Sequence, residues 1–175
     1  MEASRINLVM GDIVRQEVDA IVNAANPTLL GGGGVDGAIH HAAGPALVEA
    51  CRALRWSAYP DGLPPGEAAA TEAGDLPARW VIHTVGPNYS GAPEDATTLR
   101  RAYLSSLRVA DEVGARSVAF PAISAGAYGY PLKEAAEVAI GAVSEAATNV
   151  DEVRFVLFGR RAYDAFARAL TPLRG

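Results

Sequence analysis

Asp36 and His40 stand four residues apart, a spacing that brings an acid and an imidazole to one face of a helix. A carboxylate beside an imidazole can orient a water or take a proton from it. The pair follows the run Gly31-Gly32-Gly33-Gly34-Val35. Glycine lets the backbone approach a ligand with no Cβ in the way and permits positive φ, and ordering it on folding is entropically expensive. A run of this kind is hard to explain as scaffold alone. A second glycine loop lies at Ser124-Ala125-Gly126-Ala127-Tyr128-Gly129-Tyr130. Each loop follows a predicted strand and precedes a predicted helix. In open α/β sheets, ligands bind outside the carboxyl ends of strands, so both loops are expected at one crevice.

No Lys or Arg occurs from Asn23 to Cys51 or from Ala119 to Leu132. A diphosphate held by these loops would be bound by backbone amides and helix N-termini, which suffice physically. The Gly-Lys-Ser/Thr ending of a Walker loop is missing, which argues against ATP hydrolysis. Gly32-x-Gly34-x-x-Gly37 nominally matches the dinucleotide fingerprint, but Asn26 to Leu30 separates it from the strand. The acid expected about 20 positions on is also missing, since that region reads Leu54-Arg55-Trp56-Ser57-Ala58. No second acid occurs in either loop, so the two-carboxylate logic of glycosidases is not met. The chain's 3 histidines are scattered without acidic ligand spacing, and no metal site or cofactor is expected.

These loops need rigid elements to carry them. Strands are predicted at Arg5–Met10, Ala20–Asn23, Trp80–Val85, Ser117–Phe120 and Glu152–Phe158. Helices are predicted from Asp36 to Ala43, from Pro45 with Leu47, Val48, Cys51 and Leu54 on one face, and from Asp95 to Val113. Two more run from Leu132 to about Ala147 and through Tyr163, Phe166 and Leu170. Tyr59 to Gly66, rich in Pro and Gly, should be irregular. Alternating strands and helices imply a sheet covered on both faces.

The 175 residues are read as a single domain, half of them apolar. A net charge of −5 argues against binding long nucleic-acid duplexes. The single cysteine, Cys51, excludes an internal disulfide. No membrane-spanning run or signal-peptide pattern is present, and a cytoplasmic protein is expected.

Gly11-Asp12-Ile13, the stretch Val18 to Asn26, and Gly31 to His40 together resemble the macrodomain family, in its MacroD-type branch. The resemblance continues through Leu76 to Pro87 and Pro121 to Pro131, covering nearly the whole chain in order. It implies a three-layer α/β/α fold around a central mixed, mostly parallel sheet, with residues 1–175 as one macro domain. It implies ADP-ribose binding and hydrolysis of ADP-ribose esters, on acidic side chains or in O-acetyl-ADP-ribose. The alternative is a non-catalytic module that only reads ADP-ribose. A nicotinamide-dependent oxidoreductase, suggested by the nominal fingerprint, is a third reading. ADP-ribosylated proteins and ADP-ribosylated nucleic acid ends are the implied partners, with no membrane and a monomeric state.

The same resemblance implies roles for single residues. Asp12 would accept from the adenine amine, with the Ile13 backbone beside it; on sequence alone its reading as a helix N-cap is favoured, and both can hold at once. Asn26 would contact the distal ribose, with Ala25 next to it, or serve as a turn residue before Pro27. Asn23 is expected to satisfy backbone groups under the loop. Asp36 is the first choice for catalysis, orienting a water, and His40 would tune it. A nearby diphosphate would raise the Asp36 pKa, whereas the helix dipole would lower it, which favours water positioning over a firm general base. Gly33, Gly34 and Val35 would bind the diphosphate with Ser124, Ala125, Gly126 and Ala127, and Tyr128 would cover the distal ribose. Phe158 would pack near adenine, or equally in the core. His83, in a buried strand, is expected to be a satisfied core residue.

Overall fold

A computed structural model describes all residues from Met1 to Gly175. Its strands are β1 (Ile6–Met10), β2 (Ala20–Ala24), β3 (Ala68–Glu72), β4 (Trp80–Thr84), β5 (Ser117–Phe120) and β6 (Glu152–Leu157). Its helices are α1 (Gly34–Ala43), α2 (Pro45–Ser57), α3 (Glu94–Glu112), α4 (Leu132–Glu145) and α5 (Arg160–Arg174). The strands form one sheet in the order β1-β6-β5-β2-β4-β3, in which only the β3–β4 pair is antiparallel. The five predicted strands are present, with ends shifted by a residue or two. β3 was not predicted. Its sequence Ala-Ala-Ala-Thr-Glu holds one β-branched residue, Thr71, and no aromatic, and pairing with β4 makes it a strand.

The strands alternate between two cores, as a doubly covered sheet requires. Ala20, Val22, Val118, Phe120, Val153 and Phe155 face a cluster built with α3, α4 and α5. Ile21, Val81, Ala119 and Val156 face a second cluster with Ile39 and Ala43 of α1 and Leu47 and Cys51 of α2. The result is the expected three-layer α/β/α arrangement.

Two features of the larger core position the second glycine loop. Tyr103, Phe120, Phe155 and Phe166 form a continuous aromatic row with neighbouring centroids 5.1, 5.8 and 5.1 Å apart. The Tyr103 hydroxyl then accepts from the Ile123 amide at 3.0 Å and donates to the Pro121 carbonyl at 3.4 Å. The exit of β5 is thereby fixed from below. Because β1, β2, β5 and β6 are parallel, their following loops leave the sheet on one side.

Candidate functional site

A cavity of about 800 Å³ opens at the carboxyl ends of these strands. Its walls come from four loops and the helix starts that follow them. Gly11, Asp12 and Ile13 follow β1, and Gly34, Val35 and Ala38 open α1. Ala122, Ala125 and Gly126 follow β5, and Phe158 to Ala162 follow β6 and open α5. The two glycine loops therefore do meet at one crevice.

Most amides of the two loops are unengaged. From Gly31 to Asp36 no backbone N–H donates to a protein acceptor, and Gly33 caps α1 without a side-chain bond. In the second loop the N–H groups of Ser124, Gly126, Ala127 and Tyr128 are also free, while Ala125 donates to Ala122. Unpaired amides at a helix N-terminus form an anion site. Each loop also holds one non-glycine residue in the left-handed region, Leu29 at φ 62° and Ser124 at φ 67°. Such conformations persist only where the surroundings over-determine them. Leu29 is buried in the smaller core. Ser124 donates its hydroxyl to the Pro87 carbonyl at 2.8 Å, and its own carbonyl accepts from Tyr130 at 2.9 Å.

The crevice is not free of cations. Arg160 and Arg161 line it from the first turn of α5, outside the two glycine runs. The sequence signal was present: Phe158-Gly159 repeats the strand–glycine–helix placement of the first two loops. Arg160 pairs with Asp164 at 3.3 Å, whereas Arg161 has no acidic partner. Phe158 is 94% exposed at the rim, which overturns its reading as a core aromatic.

Asp12 lines the crevice and accepts from the Val14 amide at 3.1 Å, so the N-cap reading holds. Ile13 is buried beside it. Ala25 is buried, with its amide bonded to the Thr84 carbonyl at 2.9 Å. Tyr128 lies outside the cavity lining, and its carbonyl holds the Tyr89 amide at 2.9 Å.

Asp36 is buried against Gly32 and, unlike its neighbour Val35, does not line the cavity. Asn23 donates to its Oδ1 at 2.8 Å, and His40 Nε2 lies 3.4 Å from the same oxygen, too poorly aligned to bond. Asn23 thus holds the carboxylate rather than backbone groups, which corrects its expected role. The other oxygen, Oδ2, faces Gly32. A Cβ on Gly32 would lie 3.2 Å from Asp36 Oδ2 and 3.2 Å from Asn26 Nδ2, so both polar groups converge on the space that glycine leaves open. Asn26 is also the turn residue that its position before Pro27 suggests. Its Oδ1 accepts from the Thr28 amide at 3.0 Å, and one hydrogen of Nδ2 goes to the Gly31 carbonyl at 3.0 Å. Gly37 is needed for a different reason: a Cβ there would come within 2.5 Å of the Gly32 carbonyl.

His83 lies behind Asn23 and is fully buried. Its Nδ1 is 3.2 Å from Asn23 Nδ2, and its Nε2 is 2.9 Å from Thr71 Oγ1 and 3.6 Å from Cys51 Sγ. The satisfied-core reading therefore holds. Burial, with His40 as a second cause, pushes its pKa down to about 3. Burial and then the charge of Asp36 push the Cys51 thiol up to about 12, which removes it as a nucleophile.

Comparison with known proteins agrees with this architecture. Residues 22–139 match the family model described as Macro domain. A Macro domain-containing protein of Streptomyces nogalater is 59% identical over 94% of this chain and 91% of its own length. A protein of Citrobacter rodentium named O-acetyl-ADP-ribose deacetylase is 51% identical over 96% of each chain. A variant of the Oceanobacillus iheyensis macrodomain solved with ADPR superposes with a TM-score of 0.90 at 42% identity, covering 95% of this chain and 92% of that one.

Proposed function

The chain belongs to the macrodomain family, and from that premise we propose that residues 1–175 act as one monomeric macro domain that binds ADP-ribose and hydrolyses esters at its distal ribose. The diphosphate is read as lying between the free amides of Gly31–Asp36 and those of Gly126–Tyr128. The adenine end is read as lying between Asp12, Ile13 and Phe158. The substrates are O-acetyl-ADP-ribose and mono-ADP-ribose esters on acidic side chains of proteins.

One observation carries the catalytic part. Asp36 Oδ2 and Asn26 Nδ2 converge on the open space over Gly32, an acceptor and a donor aimed at one point. A water held there donates a hydrogen to Asp36 and accepts one from Asn26 Nδ2, which leaves its second lone pair for an ester carbonyl. Water adds to that carbonyl, the carbon–oxygen bond to the ribose breaks, and the ribose hydroxyl leaves with a proton. The substrate's own phosphate can assist in moving that proton. Its position fits Asp36 as a group that orients water, with Asn26 as its partner and His40 alongside.

Acetate release from O-acetyl-ADP-ribose and ADP-ribose release from Glu-linked modified protein test the reading. The unaltered protein should turn over at least one of them, with no loss on adding a chelator. Asp36→Ala should lower kcat by about 100-fold or more while ADP-ribose binding persists in calorimetry. Binding without release by the unaltered protein would leave only the non-catalytic reader.

A further inference from the structure

Three buried polar side chains, Asn23, His83 and Thr71, link the Asp36 carboxylate to the edge strand of the sheet. Asn23 of β2 holds Asp36 Oδ1 at 2.8 Å, and the same nitrogen lies 3.2 Å from His83 Nδ1 of β4. His83 Nε2 lies 2.9 Å from Thr71 Oγ1 of β3. Asn23 and His83 are wholly buried, so neither can exchange a lost partner for water.

The donors and acceptors fix the proton positions. A buried carboxylate beside an amide accepts, so the nitrogen of Asn23, not its oxygen, faces Asp36. That nitrogen also faces His83 Nδ1, which must then be the bare acceptor. The single ring proton therefore sits on Nε2 and is donated to Thr71 Oγ1, with Cys51 Sγ at 3.6 Å as a weak second acceptor. A proton on Nδ1 would turn the Asn23 oxygen toward His83 and, with it, toward the Asp36 carboxylate. Two acceptors would then face each other out of reach of water.

We infer that His83, kept in its Nε2–H tautomer by Thr71, is a positioning residue for hydrolysis. It fixes the Asn23 amide, which anchors Asp36 by Oδ1 and leaves Oδ2 to the water over Gly32. The inference rests on the reading of Asp36 given above. It gives β3, which contributes nothing to the cavity lining, a part in the chemistry.

Thr71→Val, Thr71→Val with Cys51→Ala, and Thr71→Ser are the informative variants. For each, turnover of O-acetyl-ADP-ribose, ADP-ribose affinity and the ring-nitrogen NMR shifts of His83 are measured. The native spectrum should show a proton on Nε2. Removing both acceptors should move it toward a mixture of tautomers and lower kcat about tenfold, with KM and affinity within about twofold. Thr71→Ser should restore both tautomer and kcat. The single Thr71→Val variant, nearly the same in volume, carries the test if the double variant does not fold. A native proton on Nδ1, an unchanged kcat once the tautomer has shifted, or a lost kcat that Thr71→Ser fails to restore would each overturn the inference. Turnover that survives Asp36→Ala would instead remove the reading of Asp36, and the role of His83 with it. Turnover lost in Asp36→Ala but untouched in the double variant would overturn the role of His83 alone.

Discussion

Gly32 is the residue on which binding and chemistry can be separated. Its φ lies outside the left-handed region, so a methyl group there meets no backbone objection. What the methyl would meet is Asp36 Oδ2 and Asn26 Nδ2, each 3.2 Å away. Gly32→Ala should therefore fill the place of the water while leaving the loop amides available. We expect kcat to fall by about tenfold to a hundredfold and ADP-ribose affinity to change less than about threefold. Parallel kinetics and calorimetry would show it, and an equal loss in both would mean that the methyl displaces the loop instead. The pairing of Asp36 with His40 was legible because a helix writes contacts four residues apart. The tie from Asn23 to His83 was not, because it spans 60 residues and depends on the β2–β4 register that sets Asn23 beside His83.

At the scale of an element, the start of α5 is the unusual one. Its first turn carries Arg160 and Arg161 and no acid, and Gly159 offers no side-chain cap. Cations at a helix N-terminus oppose the macrodipole. An anion in the crevice would reverse that balance, because the arginines and the free amides then face the same charge. Arg161→Ala should thus weaken ADP-ribose binding by roughly threefold and flatten its dependence on salt, while the unliganded protein loses no stability. Titrations at low and moderate salt, with melts of the free protein, check both signs. Arg160→Ala should do less to binding, since Arg160 already pairs with Asp164. Elements with strong periodicity were readable beforehand; in α3, Leu99, Tyr103, Leu107 and Ala110 all point inward as their spacing predicts. β3 was not, since three consecutive alanines prefer no strand and only the partner strand decides their state.

The whole molecule folds around an uncharged imidazole, and its stability should register that. His83 is ordinarily a group of pKa 6.5; burial, aided by His40, lowers it to about 3. The folded protein therefore excludes a proton that the unfolded chain takes up once the pH falls below about 6.5. The resulting contribution to stability is complete above 6.5 and is lost progressively as the pH drops toward 3, by about 1.4 kcal/mol per pH unit. Asp95 and Asp151, also lowered by their hydrogen bonds, change stability in the same direction. Carboxylates, however, exert that effect only near and below their unfolded values, 3.8 for these two and 4.5 for Glu152, which Arg154 lowers likewise. The upper part of the interval, from pH 6.5 to about 5.5, consequently isolates the histidine. Urea unfolding across that interval should show a steady fall in free energy, with about one proton bound on unfolding. His83→Gln should flatten the slope even though it lowers stability at neutral pH. A native slope near zero would mean that His83 takes a proton within the fold. That proton would break the acceptor role of Nδ1 and, through Asn23, loosen Asp36 as well.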